Sequence, residues 1–250
     1  MMSWSANPSV PHGRHLCLPF ETNDEKRQAV ISFLREGLSH GARCLFIGTS
    51  TEFEDLGRHL EIEGLCTVRA QARGALEFMT PEAAYLHEGI FEPERVLARF
   101  AAMVERAIAD GFTGLRGTGE LMHLPGPEEW RKIVWYEAQI NEYFARLPFF
   151  ALCRYPRSVV PSDRVRDVLR THPVAIVRGE SCENPFYERT ELALSDDSEA
   201  RLDWQLYQMR AQNRAQRHLE GTTVSAVTAA VELAAELEVL RAELRRSRPD

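Results

Sequence analysis

Four residues whose side chains can bind metals or polar ligands lie in or beside apolar segments of the chain: His15, Cys17, Cys153 and His172. His15 and Cys17 are two positions apart in HLCLPF, so a strand there would place both side chains on one face of a sheet. Zinc requires soft ligands of this kind converging in a tetrahedron. The chain has no CxxC or HxxxH spacing, however, and a cysteine in a buried strand commonly acts as a small apolar side chain. The sequence therefore predicts no metal and no other cofactor, and it leaves open whether these residues converge on one.

The segment that follows HLCLPF stands where many nucleotide-binding α/β proteins hold a phosphate loop. That loop needs glycines, for close backbone approach to the phosphates, and a lysine. Residues 21–24 are ETND, and the nearest positive charge, Lys26, already belongs to the next helix. Glu21 and Asp24 favour the helix dipole themselves, and Thr22 or Asn23 can cap the helix. Standard hydrolysis of a nucleoside triphosphate is not expected here.

A second candidate is the glycine-rich stretch GLRGTGEL, which follows an apolar strand. Gly117 and Gly119 permit close approach of the backbone to a ligand, and Arg116 and Glu120 add charges of both signs. The same residues also suit a tight turn with exposed charges. Function and turn remain equally open at this stretch.

The third candidate is RTHPVAIVRGESCENPFYE. His172 precedes a proline and must therefore be extended, which fixes the direction of its side chain instead of letting the residue continue the helix. Asn184 and Pro185 predict a turn, and Tyr187 adds an aromatic ring with a polar tip. The structural alternative is that His172 caps the preceding helix and Tyr187 packs on the sheet edge.

Short apolar strands alternate with amphipathic helices over residues 15–190, which predicts an α/β domain with a mostly parallel, doubly wound sheet. Ligands in such sheets bind at the carboxyl ends of the strands. The predicted strands are HLCLPF, RCLFIGT, CTVRAQ (66–71), ALEFMT, FTGLRGTGEL, FFALCRY and VAIVRG. Helices are expected between them, including one from Trp130 to Leu147 and a short one capped by Asp163.

Composition limits the class of protein. The net charge of -7 and pI of about 5.7 disfavour a surface that coats nucleic acid. No apolar run is long enough for a signal peptide or a membrane span. Five widely spaced cysteines suit reduced thiols better than a disulfide framework. We expect a cytoplasmic protein that contacts neither membrane nor nucleic acid, with a loose leader over residues 1–14.

The C-terminal part, residues 191–250, begins as an acidic linker and continues as helix-forming sequence. A heptad stripe runs through residues 224–246, at Ala226, Ala230, Leu233, Leu237, Leu240 and Leu244. This is the a/d pattern of a short coiled coil. It predicts a homodimer or a contact with a regulatory protein, and a tail that folds back on its own domain is the alternative.

Several segments, taken in order, carry a family resemblance. They are FLREGLSHGARCLFIGT, GFTGLRGTGEL, YEAQINEYF leading into PFFALCRYP, and LRTHPVAIVRG followed by NPFYE, with His15 and Cys17 on the first strand. Residues 15–188 thereby resemble the MEDS domain, the sensory domain named from methanogens, methylotrophs and the dichloromethane-dehalogenase regulator DcmR. The resemblance implies a RecA/KaiC-like fold with a degenerate phosphate loop, and a sensor of small organic molecules in signal transduction and transcription regulation. It also implies an attached output module, but the chain shows no helix-turn-helix, kinase or ATPase pattern.

We therefore expect a non-enzymatic sensory protein that binds a small organic molecule at its strand tips and relays binding through its C-terminal helices. The residues expected to contact the ligand are His15, Cys17, Thr22, Arg116, Glu120, Cys153, Tyr155 and His172. Two alternatives stay open. One is a RecA-like ATPase with a non-standard phosphate site, and the other is a scaffold protein with a vestigial pocket.

Overall fold

The computed structural model describes residues 14–121 and 126–218. Its strands are β1 (Arg14–Phe20), β2 (Arg43–Ile47), β3 (Leu76–Met79), β4 (Leu86–His87), β5 (Ile90–Phe91), β6 (Leu115–Gly119), β7 (Phe149–Pro156), β8 (Val174–Val177) and β9 (Glu180–Glu183). Its helices are α1 (Asn23–Ser39), α2 (Ser50–Ile62), α3 (Thr67–Ala72), α4 (Pro81–Tyr85), α5 (Pro93–Ala109), α6 (Pro127–Tyr143), α7 (Ser162–Thr171), α8 (Thr190–Ala193) and α9 (198–218).

Seven of these strands form one sheet in the order β3-β2-β6-β7-β1-β8-β9. Every neighbouring pair is parallel except β8 with β9, which is antiparallel. β4 and β5 form a separate hairpin. Helices pack on both faces of the sheet, so the predicted α/β fold with a mostly parallel, doubly wound sheet is confirmed.

Successive residues of each strand point to opposite faces, and the sheet therefore separates two cores. Cys17, Leu115 and Ala151 point into one core, which is shared with α5, α6 and α7; we call this side of the sheet the α6 face. Leu16 and Leu152 point into the other core, which is shared with α1, α2 and α3; we call this side the α1 face. A polar residue in a strand therefore lies on the α6 face or on the α1 face according to whether its position in the alternation matches that of Cys17 or that of Leu16.

Residues 66–71, expected as a strand, are instead mostly helical, because Thr67–Ala72 form α3. Cys66, Val68 and Ala70 alternate as a strand would, but Val68 is 69% exposed while Thr67 and Ala70 are buried. A spacing of three between buried residues is one turn of helix. The N–H of Ala70 donates to the carbonyl of Cys66 at 3.0 Å and closes that turn.

Two further details differ from the sequence-based expectation. Asp163 was expected to cap α7 but lies in its first turn, and no side chain caps this helix. VAIVRG was expected to be the last strand, but β9 follows it through a tight turn. Arg178 and Gly179 both have positive φ, 48° and 84°, which is the conformation of a two-residue hairpin turn whose twist matches that of the strands.

The chain divides into two compact units between Ser198 and Glu199. In the second unit the described residues are helical as far as residue 218. The predicted heptad stripe over residues 224–246, and residues 1–13 of the expected leader, lie outside the described residues. Within the described ranges, no helix combines the length and apolar composition that crossing a bilayer would require.

Candidate functional site

Five of the eight predicted ligand contacts meet on the α6 face. His15 and Cys17 lie on β1, and Cys17 pairs in register with Cys153 of β7. Tyr155 follows two residues later on β7 and points to the same side. His172, directly after α7, is fully buried beside them. The sheet and the end of α7 therefore bring together residues that are up to 157 positions apart in the sequence.

A carboxylate from α6, Glu137, stands at the centre of these side chains. Its Oε2 lies 3.0 Å from Nε2 of His15, 3.5 Å from Nε2 of His172 and 3.5 Å from Sγ of Cys153. The hydroxyl of Tyr155 donates to its other oxygen, Oε1, at 2.6 Å. We call these five residues the Glu137 cluster. Cys17 lies next to the cluster but is not one of the residues that contact Glu137.

Glu137 was absent from the residues predicted from the sequence, although α6 carries a signal that could have found it. Ile133, Ile140 and Phe144 are buried in the core of the α6 face. Steps of four, three and four place Glu137 on the same side of the helix as these residues. A charged residue is almost never fully buried unless it is paired, so a glutamate at a core position of an amphipathic helix points to a buried partner.

The end of α7 holds His172 in one orientation. The residue is extended, with φ -115° and ψ 119°, as expected for a residue that precedes a proline. Its Nδ1 lies 2.8 Å from the carbonyl oxygen of Val168. A carbonyl only accepts, so Nδ1 carries the proton and Nε2 of the neutral ring presents a lone pair toward Glu137. This Nε2 is buried and makes no hydrogen bond among the described residues.

Burial controls the protonation of the cluster. It lowers the pKa of both His15 and His172 to about 3, and the neighbouring His15 adds to the shift at His172. Burial raises the pKa of Glu137 and the pKa of the Cys153 thiol. The nearby charge of Glu137 raises the pKa of Cys153 further. The pKa of Tyr155 is also raised by burial. Each of these shifts favours the neutral form, because a low-dielectric interior disfavours charge.

A small cavity of about 20 Å³ borders the cluster. Its lining includes Glu137, Cys153, Tyr85 and Tyr136, which carry polar groups, and the glycines Gly117 and Gly119. The two glycines of GLRGTGEL thus face this cavity. At Gly119 the absence of a side chain lets Tyr85 approach closely: a Cβ there would lie 2.1 Å from the Tyr85 hydroxyl and would force this ring to shift.

The other three predicted contacts lie away from the cluster. Arg116 points into the α1 face, where it pairs with Glu36 at 2.8 Å and stacks on Phe150. Thr22 is the N-cap of α1: its hydroxyl accepts from the N–H of Glu25 at 3.2 Å. Glu120 lies at the strand tips, 3.8 Å from Nζ of Lys26.

Glu120 lies within 4 Å of two residues, Lys26 and Arg154, that line a second and wider cavity of about 230 Å³ between α1 and α2, which we call the corner pocket. Its charged lining residues are Lys26, Arg27, Glu52, Asp55 and Arg154. Lys26 donates to Glu52 at 2.7 Å, Arg27 pairs with Asp55 at 3.4 Å, and Arg154 lies 3.7 Å from Glu120. Every cation of the corner pocket therefore has an acidic neighbour of its own.

The fold and the buried cluster define an α/β domain with a mostly parallel sheet and a buried polar site on one face. The chain belongs to the MEDS family, the methanogen/methylotroph, DcmR sensory domain, whose profile matches residues 14–173. It is also similar in structure to a KaiC-like protein from the hyperthermophilic archaeon Pyrococcus horikoshii OT3, with a TM-score of 0.45 and 14% sequence identity over 66% of this chain and 71% of that one. No protein of curated function matches it.

Proposed function

We propose that this chain is a non-enzymatic sensory protein that binds a small organic molecule in the cavity beside the Glu137 cluster and signals through its C-terminal helices. The observation that carries the proposal is the composition of that cavity: a mostly apolar lining that includes two glycines, with polar groups from Glu137, Cys153 and two tyrosines. Sites for small molecules are concave and mostly apolar, with a few polar groups that fix orientation. Membership of a sensory-domain family supports the same role.

The size of the cavity limits the ligand. A water molecule needs about 10–15 Å³ measured in this way, and the cavity offers about 20 Å³. A molecule of one or two non-hydrogen atoms therefore fits without movement, and a larger one requires Tyr85 or Tyr136 to turn aside. We expect one-carbon compounds such as methanol and formaldehyde to be the best first probes, with dichloromethane as a larger one.

The route for a signal begins at two helices: α6, which holds Glu137, and α7, which ends directly before His172. The hydroxyl of Thr190 in α8 donates to the carbonyl of Ala138 in α6 at 3.1 Å. Arg170 of α7 donates to the carbonyl of Ala193, at the end of α8, at 2.9 Å. A ligand that shifts α6 or α7 would therefore shift α8, which stands five residues before α9 in the chain.

The proposed output is an association through the C-terminal helices. Leu202, Leu206 and Met209 of α9 are exposed, at steps of four and three along the helix, which is the spacing of one helical face. Together with the heptad stripe over residues 224–246, they favour a homodimer or a contact with a regulatory protein. A useful switch requires the ligand to bind one state more tightly than the other.

The nucleotide-binding alternative has less support. An anion at a helix N-terminus needs free backbone N–H groups, but the capping box of α1 already uses one of them, because the Thr22 hydroxyl accepts from the N–H of Glu25. The side chain of Glu25 accepts from the N–H of Glu21 at 2.8 Å and from that of Thr22 at 3.3 Å. A phosphate in the corner pocket would also have to displace the acidic partners of Lys26 and Arg154.

The test is the thermal unfolding of the full chain with methanol, formaldehyde, dichloromethane or ATP. A ligand at 100 times its Kd should add about 2.7 kcal/mol of stability. Gly117→Ala is the decisive variant, because its Cβ would narrow the cavity while meeting Phe149 at an ordinary 3.5 Å. The matched control is Gly57→Ala, whose Cβ meets nothing within 4 Å. We expect the stabilisation by a one-carbon probe to persist in the control and to disappear in Gly117→Ala.

Other outcomes decide against the proposal. Stabilisation by ATP that is lost in Glu120→Gln would favour the nucleotide-binding enzyme, and no stabilisation by any probe would favour the scaffold. The output is tested separately by sedimentation of Leu206→Glu against Gln205→Glu, which adds the same charge at the neighbouring exposed position of α9. An unchanged oligomeric state in Leu206→Glu would remove α9 from the proposed output.

A further inference from the structure

We propose that His15, Glu137, Cys153 and His172 together bind one divalent transition-metal ion, with Zn²⁺ as the best match to the ligand set. This inference goes beyond the sensory role and does not rest on it, because these four side chains could bind a metal whether or not an organic molecule enters the cavity. It concerns four side chains that lie on β1, α6, β7 and the residue after α7.

The first argument is the spacing of the ligand atoms. Metal–ligand bonds of about 2.0–2.3 Å in a tetrahedral zinc site place neighbouring ligand atoms about 3.3–3.6 Å apart. Oε2 of Glu137 lies 3.0 Å from Nε2 of His15 and 3.5 Å from Nε2 of His172. Sγ of Cys153 lies 3.5 Å from the same Oε2 and 3.4 Å from Nε2 of His15. All four ligand atoms lie within 4.8 Å of one another, so binding an ion requires only small side-chain adjustments.

The second argument is the unpaired nitrogen of His172. This side chain is 0% exposed, and its Nε2 makes no hydrogen bond among the described residues. The proton on Nδ1 is held by the carbonyl of Val168 at 2.8 Å. Metal-binding histidines characteristically donate their second ring N–H to a carbonyl or carboxylate, which fixes the tautomer and aims the free nitrogen at the metal.

A network of protons without a metal explains the cluster less completely. If Glu137 were protonated on Oε2, it could donate to Nε2 of His15, and the Cys153 thiol could donate to Glu137. Nε2 of His172 would still be left without a partner, and a buried polar atom in that state costs about 1–3 kcal/mol. A cation between these atoms satisfies the lone pairs of both histidines at once.

The third argument is charge. Cys153 binds a metal as a thiolate and Glu137 binds it as a carboxylate. The two negative charges of these groups cancel the two positive charges of a divalent cation. The neutral imidazoles add none. A site with no net charge avoids most of the cost of burying an ion in a low-dielectric interior.

The chemistry of the four ligands selects the kind of metal. Two imidazole nitrogens, one thiolate and one carboxylate form a mixed set of the type that zinc accepts. Mg²⁺ and Ca²⁺ prefer an all-oxygen set with more ligands. Tyr155, which donates to Oε1 of Glu137 at 2.6 Å, would hold the carboxylate in place as an outer hydrogen-bond partner.

The experiment measures metal content in the full chain, expressed with zinc in the medium and dialysed against metal-free buffer. We expect about one zinc per chain, and a loss of affinity greater than the roughly 100-fold typical of outer-partner changes in Cys153→Ser and in His172→Gln. Cys17→Ala is the matched control: Cys17 pairs with Cys153 in register and lies on the same face, where Cys17 is buried and Cys153 half-buried, and zinc should remain.

Replacement of zinc by Co²⁺ gives a second readout that does not depend on the stability of a variant. Wild-type protein and Cys17→Ala should show the visible bands of tetrahedral cobalt and the near-ultraviolet band of a thiolate ligand. The thiolate band should be absent from Cys153→Ser. Wild-type protein that retains no zinc and shows no thiolate band with Co²⁺ would overturn the proposal, and so would a thiolate band that disappears in Cys17→Ala. Failure of the organic probes to stabilise the protein would leave these metal measurements unaffected.

Discussion

The two faces of the central sheet both bury polar side chains, but they do so in different ways. On the α6 face the Glu137 cluster is enclosed, its pKa shifts favour neutral groups, and its members come from four separate elements. On the α1 face Arg116 and Arg154 are cations. Each has a carboxylate beside it, Glu36 or Glu120, and a phenylalanine ring beneath its guanidinium.

The difference indicates what each face is suited to do. Arg116 and Arg154 already have carboxylate partners and ring contacts, so they stabilise the packing of α1 and the strand tips. A ligand there would have to break those ion pairs. The Glu137 cluster leaves a histidine nitrogen unpaired and has a cavity beside it. Unpaired buried polar atoms also occur on the α1 face, at Nε of Arg154 and Oε1 of Glu120, but these two groups carry opposite charges and lie 3.7 Å apart. A neutral histidine nitrogen has no such compensation and calls for a specific explanation, so we assign binding to the α6 face and support of the fold to the α1 face.

The strongest test of this contrast replaces one carboxylate on each side of the sheet. Glu137→Ala removes the acceptor of the Tyr155 hydroxyl and the neighbour of His15, leaving buried polar groups unpaired beside a new cavity. We expect it to lower the free energy of unfolding by about 2–5 kcal/mol, measured by urea denaturation with a chelator present. Glu52→Ala, in the corner pocket, should cost less, about 0.5–2 kcal/mol, because it removes a partly exposed ion pair with Lys26 and the acceptor of the Thr49 N–H at the start of α2. Equal losses would remove the distinction between the two faces.

The second prediction concerns the glycine that lines the cavity. A Cβ on Gly119 would lie 2.1 Å from the Tyr85 hydroxyl and 3.2 Å from Cβ of Ile47. Gly119→Ala should therefore cost about 1–3 kcal/mol through overpacking. Gly57→Ala in α2 should instead stabilise the chain by up to about 1 kcal/mol, because alanine favours a helix. Thermal unfolding of both variants checks the pair, and a Gly119→Ala variant as stable as wild type would show that Tyr85 moves freely.

The sequence predicted the order of strands and helices well, because buried parallel strands appear as continuous apolar runs and amphipathic helices repeat at 3.6 residues. It failed at α3, where three alternating residues imitated a strand. The helix is short, and the exposure of Val68 could be known only once the packing of Thr67 and Ala70 was known. Periodicity over six residues does not separate the two structures.

The site was predicted only in part, for two physical reasons. The candidates were chosen by residue type, whereas strand parity decides which face each one meets: Arg116 and Glu120 alternate with Gly117 and Gly119 on β6 and beyond it, so charges and glycines point to opposite sides. Glu137 was missed because a glutamate in a helix is ordinarily exposed. Only its place in the apolar spacing of α6 distinguishes it from the other acidic residues of that helix.

The third prediction separates capping from ligand binding at Thr22, which the sequence had placed at the ligand. Thr22→Ala removes the side chain that accepts from the N–H of Glu25 at 3.2 Å. Loss of an N-cap costs about 0.5–2 kcal/mol, and Thr22→Ser should restore most of it. Zinc content, measured by mass spectrometry, should be unchanged in both variants. A loss of zinc in Thr22→Ala with normal stability would contradict the assignment of this residue to the fold alone.

The smallest expected effect is a pH dependence of the free energy of unfolding that arises from Glu52 in the corner pocket. Burial alone would raise the pKa of Glu52, but hydrogen bonds from Lys26 and from the N–H of Thr49, with the nearby charges of Lys26 and Arg154, lower it to about 2 from an ordinary value of 4.5. Because the folded state holds this proton less tightly than the unfolded state, the stabilisation is complete above pH 4.5 and is lost as the pH falls toward 2. Wild type should therefore lose its stability advantage over Glu52→Gln across that range in urea denaturation at a series of pH values. A difference between the two proteins that stays constant down to pH 2 would show that the pair with Lys26 contributes nothing to the stability of the corner.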